Sequence, residues 1–345
     1  MKTAFLDRDG VLIWEPPETK QIDSLQKLQV LPGVIDGLKK LQSAGFSLVM
    51  VSNQNGVGTP AFPRKAFEEP HNALLEIFAR EGIVFTEIFV CPHMPEENCA
   101  CRKPKTGLVD DFLSRVNIDR ATSLMIGDRD TDEAFARNIG VRFIRMETNA
   151  RFPRFGSLRR TTKETDIAVF LNVDGSGVSD IATGIGFLDH MLDLFTKHAL
   201  IDLTLHVKGD LHVDEHHTME DTALALGSAL SQAIGNKRGI ERYGFILPMD
   251  EALAEVAVDL SGRPYFVFEG SFAREYVGKL PTELVPHFFE SLAQSLKCTL
   301  HMTIKHGRNE HHKVEALFKG LGRCLRQAFR QSPFEKGIPS TKGSL

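Results

Sequence analysis

Short apolar runs and amphipathic patterns alternate through the first 150 residues. Residues 3–6, 46–51 and 123–126 are mostly apolar and of strand length, whereas residues 33–45 and 67–81 space their apolar side chains as one face of a helix. This alternation predicts an α/β doubly wound parallel sheet with helices on both faces. Ligands of such sheets bind at the carboxyl ends of the strands. Each run ends in a polar cluster, Asp7-Arg8-Asp9, Ser52-Asn53-Gln54 or Gly127-Asp128, so these clusters are expected to converge there.

The pattern then changes and repeats itself. His216-His217-Thr218-Met219-Glu220 is echoed by His311-His312-Lys313-Val314-Glu315, and Gly227 and Gly322 follow the two pairs at the same offset. Leu226 and Leu230 match Leu321 and Leu325, while His190 and His287 precede the pairs by 26 and 24 residues. Alternating runs at 203–207 and 300–304 lie between, and further strands are expected at 166–173 and 254–260. Each unit reads as helix, strand, loop, helix, with the HHxxE motif opening the second helix. The expectation is an α+β domain of two duplicated halves over residues 160–345, joined to a first domain at 1–150 by a linker at 151–159.

Composition narrows the class. Hydrophobic residues make up 42% and charged residues 25% of the 345, values of a soluble globular chain long enough for two cores. A net charge of -4 argues against nucleic acid as a partner, and no apolar run is long enough to suggest a membrane span. The chain reaches Asp7, Arg8 and Asp9 at once, leaving no room for the apolar region of a signal peptide, so a cytoplasmic protein is expected. Histidine divides the chain: His71 and His93 lie in the first 150 residues and the other eleven follow, so the two domains should differ in chemistry.

In the first domain the residue types point to phosphoryl transfer. An aspartate at a strand end, Asp7, can attack phosphorus, and Asp9 can protonate the leaving oxygen and then activate water. Asp7, Asp9 and Asp128 offer the oxygen ligands of a Mg²⁺ site. Ser52 and Asn53 can donate to the phosphoryl oxygens, and Lys103 can neutralise their charge. Cys91, His93, Cys99 and Cys101, within eleven residues, form the ligand set of a closed structural Zn²⁺ site. In order, Asp-x-Asp-Gly, Ser-Asn, Lys-Pro and Gly-Asp-x-x-x-Asp resemble the motifs of haloacid-dehalogenase-like phosphatases. Val11 departs from that pattern, where threonine is usual. "CPHMPEENCACRKPKTG" resembles the loop of zinc-containing histidinol-phosphatases and of their relatives acting on heptose bisphosphates.

In the second domain, His216 and His217 share a helical face with Glu220 but diverge from each other by about 100°. They are better placed to serve two ions than one. With His190, His287, His311, His312 and Glu315 they supply enough donors for two nitrogen-rich sites, suited to Mn²⁺, Fe²⁺ or Zn²⁺. Arg242, Arg263, Lys319, Ser340 and Lys342 are candidates for holding a phosphate. "RTTKETDIAV", "GIGFLDHMLD", "DEHHTMEDTALALG", "DLSGRPY", "EHHKVEALFKGLGR" and "STKGSL" resemble imidazoleglycerol-phosphate dehydratase. The resemblance implies Mn²⁺-dependent dehydration of imidazoleglycerol phosphate, a large homo-oligomer, and sites shared between subunits. Glu164, in the "KET" motif, is the candidate for substrate contact and proton transfer.

The two resemblances meet in histidine biosynthesis, with histidinol phosphate as the first domain's substrate. Two other readings stay open: a sugar-bisphosphate phosphatase for the first domain, and a non-catalytic metal-binding assembly module for the second.

Overall fold

A computed structural model describes residues 1–332 and 337–340. The chain divides into two compact units, Met1–Pro153 and Arg154–Leu345.

The first unit is built on a five-stranded sheet of β1 (Thr3–Leu6), β2 (Ser47–Asn53), β3 (Phe85–Cys91), β4 (Leu124–Gly127) and β5 (Arg142–Arg145). Their order is β3-β2-β1-β4-β5, and every neighbouring pair is parallel. Helices α1 (Val34–Ser43), α2 (Arg64–Arg80), α3 (Asp110–Arg115) and α4 (Asp130–Ile139) supply the crossovers. Phe5, Val49, Val51 and Met125, from the central strands, pack with Phe112, Phe135 and Ile139 from α3 and α4. Full burial of such side chains contributes about 1.5–3 kcal/mol each. The strand order reverses direction between β1 and β4, opening a crevice at their carboxyl ends.

The second unit contains the same six-element motif twice. The first copy comprises β6 (Phe155–Thr161), β7 (Thr165–Asn172), β8 (Ser179–Ala182), α5 (Gly186–Ala199), β9 (Asp202–Gly209) and α6 (His216–Ile234). The second comprises β10 (Tyr243–Met249), β11 (Ala252–Asp259), β12 (Tyr265–Glu269), α7 (Leu284–Leu296), β15 (Thr299–His306) and α8 (Glu310–Phe329), with a small hairpin of β13 (Tyr276–Val277) and β14 (Leu280–Pro281) inserted after β12. The two sheets, β6-β7-β9-β8 and β10-β11-β15-β12, have matching strand senses, with two antiparallel pairings followed by one parallel pairing. The duplication legible in the histidine motifs therefore extends to the whole topology.

The helices pair across the halves, α6 on α7 and α5 on α8. Two glycines permit this. A Cβ at Gly227 of α6 would lie 2.0 Å from Ser295 Oγ and 2.7 Å from the Leu292 carbonyl oxygen of α7. A Cβ at Gly322 of α8 would lie 2.7 Å from the Phe195 carbonyl oxygen of α5. One continuous hydrophobic cluster runs through both halves.

The expected linker at 151–159 is corrected. Residues from Phe155 onward form β6, paired to β7, with the buried Phe155 ring stacked 5.6 Å from Phe170. Arg154 is buried too, donating to Asp174 and to the Phe329 carbonyl. β6 is an edge strand with partly exposed arginines, so its apolar alternation is weak. Among the described residues no helix is long and apolar enough to cross a membrane.

Candidate active sites

In the first unit, Asp7 follows β1 directly, and its N–H donates to the Ile126 carbonyl of β4 at 3.0 Å. This ladder carries Asp7 to the switch point beside Asp128, which follows β4. Ligand-capable oxygens of Asp7, Asp128 and Asp132 lie within 4.8 Å of one another, and all three residues are buried. Asp132 comes from the first turn of α4, and Gly127 makes room for it: a Cβ there would stand 2.3 Å from the Asp132 Cβ.

Buried Lys103 bridges the cluster, its Nζ 2.9 Å from Asp7 Oδ1 and 2.6 Å from Asp132 Oδ1. Burial alone would lower the lysine pKa, but Asp7 and Asp132 outweigh it and raise the value. Burial first, then repulsion by Asp132, pushes Asp7 up to about 7 despite the lysine. One ammonium does not balance three carboxylates, and the buried Asp128 Oδ1 has no hydrogen-bond partner among the described residues. An all-oxygen, anionic pocket of this kind suits a hard divalent cation.

The Asp9 side chain is placed differently, outside this carboxylate cluster. Its Oδ2 accepts from Gln54 Nε2 at 2.5 Å, and its Oδ1 lies 3.3 Å from Arg8 Nη1. Asp132, which is not among the ligands expected from the sequence, joins Asp7 and Asp128 in the cluster. Gln54 Nε2 also donates to Ser52 Oγ at 2.7 Å, which leaves the serine's own proton available to another acceptor.

Asn53 makes two bonds to the backbone of Lys103. Its Oδ1 accepts from the Lys103 N–H at 3.0 Å and its Nδ2 donates to the Lys103 carbonyl at 3.2 Å. The side chain thus clamps the lysine backbone, as a two-point amide pair does. Glu15, buried and bonded to Arg129 beside Asp128, is a further neighbour of the site.

The cysteine loop begins where β3 ends, with Cys91 in register opposite Asn53. Cys91 Sγ lies 3.2 Å from Cys101 Sγ, 3.6 Å from Cys99 Sγ and 3.6 Å from His93 Nδ1, while His93 Nδ1 lies 3.1 Å from Cys101 Sγ. Four donors about 2.3 Å from a tetrahedral ion stand about 3.7 Å apart, so a small expansion separates this set from zinc geometry. These separations are far from a disulfide bond, so Cys91, Cys99 and Cys101 are thiols. Arg102 ties the loop to the end of β2, donating to Asn55 Oδ1 at 2.6 Å and to the His93 carbonyl at 3.1 Å.

In the second unit the helix pairing decides how the histidines group. His216 and Glu220 of α6 meet His287 of α7, and His311 and Glu315 of α8 meet His190 of α5. Each cluster therefore draws its helix-start pair from one half and its outlying histidine from the other. In the first, Glu220 Oε2 is 3.8 Å from the Nε2 of both His216 and His287. In the second, Glu315 Oε2 is 3.5 Å from His311 Nε2. Donors about 2.1 Å from a common ion stand about 3–3.5 Å apart, close to these separations. The Nε2 of His287 is buried without a hydrogen-bond partner among the described residues.

The remaining histidine of each pair turns away. The His216 and His217 rings lie at 89°, and the His311 and His312 rings at 90°. His217 Nδ1 is 3.0 Å from Asp210 Oδ2, and its Nε2 is 3.9 Å from Glu164 Oε1. His312 Nδ1 is 2.7 Å from Glu251 Oε2. The hydrogen bond to Asp210 comes first among the causes raising the His217 pKa, and the bond to Glu251 does the same for His312. Neither carboxylate was marked by any spacing in the sequence.

The basic candidates have separate settings. Arg242 forms a bidentate pair with Asp259, at 2.5 and 2.9 Å, and its Nη1 donates to the Pro339 carbonyl, which brings the segment containing Ser340 beside it. Lys319 lies 2.5 Å from Glu315 Oε1, and Arg263 is on an exposed loop next to Ser261. Lys342 lies outside the described residues.

The carboxylate–lysine crevice is the arrangement of a phosphoryl-transferring hydrolase, and the histidine–glutamate clusters are those of a metal-binding unit. Comparison with known proteins gives each a family. A model described as imidazoleglycerol-phosphate dehydratase matches residues 183–325, and one described as HAD-hydrolase-like matches residues 100–159. The histidine biosynthesis bifunctional protein HisB of Actinobacillus pleuropneumoniae serotype 3 (strain JL03) is 50% identical over 361 residues, covering 99% of each chain. That of Legionella pneumophila (strain Lens) is 48% identical over 354 residues, covering 100% of this chain and 99% of its own. The crystal structure of the dehydratase from Pyrococcus furiosus in complex with (S)-C348 is 39% identical, covers 55% of this chain and 100% of its own, and has a TM-score of 0.48. The chain belongs to the family of bifunctional histidine-biosynthesis proteins, a hydrolase and a lyase on one polypeptide.

Proposed function

We propose that the first unit hydrolyses histidinol phosphate to histidinol, and that the second dehydrates imidazoleglycerol phosphate to imidazole acetol phosphate. The observation that carries the first assignment is the buried triad of carboxylates bridged by Lys103 at the switch point. Asp7 attacks phosphorus, forming an aspartyl-phosphate as the ester oxygen departs. Asp9, held by Gln54 and Arg8, gives that oxygen its proton and then accepts one from the water that hydrolyses the intermediate. Ser52 donates to a phosphoryl oxygen, and Lys103, held by Asn53, offsets the charge of the transferring group. Mg²⁺ on Asp7, Asp128 and Asp132 would supply further charge neutralisation there. Zn²⁺ on Cys91, His93, Cys99 and Cys101 would hold the loop that leads into Lys103.

For the second unit, the cross-half clusters carry the assignment. Mn²⁺ held by them would supply Lewis acidity, making the substrate's imidazole ring an electron sink as a side-chain proton and then the hydroxyl leave. Glu164 contacts the substrate and moves the proton. Arg242, Arg263, Lys319, Ser340 and Lys342 hold the phosphate. His217 and His312, absent from their own chain's clusters, complete those of neighbouring copies in a large homo-oligomer. Soluble substrates in both steps fit work in the cytoplasm.

Two assays test the pair of assignments. Metal-stripped protein is given Mn²⁺, Mg²⁺ or Zn²⁺ separately, and both reactions are followed. Phosphate release is then compared on histidinol phosphate and a heptose bisphosphate. Preference for the sugar overturns the first assignment, and no turnover of imidazoleglycerol phosphate with any metal overturns the second.

A further inference from the structure

The outward-turned histidines are not loose. A carboxylate accepts and does not donate when ionised, so a proton shared with Asp210 or Glu251 belongs to the imidazole Nδ1. That leaves Nε2 of each ring as the nitrogen with a free lone pair. His217 and His312 are thus presented in the same tautomer, aimed by an acid on the far side of the ring.

The two acids do not occupy equivalent places in the duplicated halves. Asp210 follows β9, seven residues before His217, whereas Glu251 lies in the turn joining β10 to β11, 61 residues before His312. The counterpart of Glu251 in the first half is the turn joining β6 to β7, and that turn carries Glu164. Both turns therefore bring a glutamate to the second histidine of an HHxxE pair. In the second half the glutamate takes Nδ1. In the first, Asp210 already holds Nδ1, and the Glu164 carboxylate stands instead 3.9 Å from Nε2, the ligating side.

We infer that Asp210 and Glu251 are positioning residues that fix His217 and His312 as Nε2 metal ligands, and that Asp210 frees Glu164 from this task. Glu164 is then available on the side of the ring where the ion and the substrate meet. Carboxylates in this relation to a ligating histidine set its orientation and raise its basicity, and their loss weakens metal binding about 10–100-fold. The inference rests on the reading above, in which the two histidines complete clusters of neighbouring copies.

Mn²⁺ binding to the full chain, followed by the loss of the free-ion electron paramagnetic resonance signal, tests it. Asp210→Leu and Glu251→Met keep bulk and remove the acceptor; each should weaken one class of site about 10–100-fold and leave the other unchanged. Co²⁺-loaded protein should show an altered visible spectrum in both. Asp210→Asn, which can still accept from Nδ1 through its amide oxygen, should recover most of the lost affinity and guards against simple misfolding. Glu164→Gln should bind Mn²⁺ within about twofold of the parent while losing dehydration. His217→Ala and His312→Ala are the reference. If they retain metal like the parent, the reading beneath the inference falls. If they lose metal while Asp210→Leu and Glu251→Met do not, the positioning role alone is overturned. Equal losses in Glu164→Gln and Asp210→Leu overturn the division of labour.

Discussion

The two sites differ first in enclosure. Asp7, Asp128, Asp132 and Lys103 are each at most 9% exposed. The side chains of His216, His287 and His311 are 46%, 31% and 41% exposed. A buried cluster of like charges is costly unless its compensation is built in, and Lys103 and the cation-competent geometry provide it within one chain. The histidine clusters lie partly open to solvent. Each has three donors in the chain and an open side. The first site thus gathers its groups deep within one chain, whereas the second has an open side with room for further donors.

The sharpest break in this comparison is chemical. Asp7→Asn should abolish phosphate release by about 10⁴-fold or more, the scale of losing a covalent nucleophile, while dehydration persists. Glu220→Gln should do the reverse. Loss of both activities in either folded variant would show that the units are not independent.

A second test uses the donor sets. After dialysis against chelator, Mg²⁺ alone should restore phosphate release and leave dehydration at least about 10-fold down, because nitrogen-rich sites disfavour Mg²⁺. Size-exclusion chromatography run alongside should show smaller species in the stripped protein if the open clusters are finished by other copies.

Gln54→Met should lower turnover of an alkyl phosphate about 10–100-fold through misplacement of Asp9. With p-nitrophenyl phosphate, whose leaving group needs no proton, the loss should be several times smaller. Equal losses on both substrates would assign Gln54 to structure alone. The smallest effect concerns packing. Gly227→Ala forces α6 from α7 and should cost about 1–3 kcal/mol in denaturant unfolding of the second unit.

Much of this was legible in the sequence where chemistry and periodicity coincide. The apolar runs marked β1, β2 and β4, and the polar residues after them mark the crevice. The helical spacing of HHxxE showed that its two histidines must part, and the aligned Gly227 and Gly322 were already visible as a repeat. Their reason, close helix pairing between halves, was not visible, because it depends on contacts between segments far apart in the chain. The same holds for the exchange of His190 and His287. Edge strands such as β6 and β8, polar on their open side, left little alternation to read. The presence of Asp132 beside Asp7 and Asp128 turns on where the first turn of α4 lands. Gln54, Asp210 and Glu251 meet their partners through side-chain reach, which no spacing rule encodes.

The crossed clusters also bear on ancestry. A polypeptide carrying one half alone would present a His–Glu pair on its second helix and its outlying histidine on the first, which does not meet that pair in this architecture. Two separate copies docked as α5 docks on α8 and α6 on α7 would assemble both clusters at once. The simplest forerunner able to bind either ion is therefore a homodimer with a twofold axis between its helices. Fusion released the copies from identity, and the unlike acids behind His217 and His312 are what that freedom left behind.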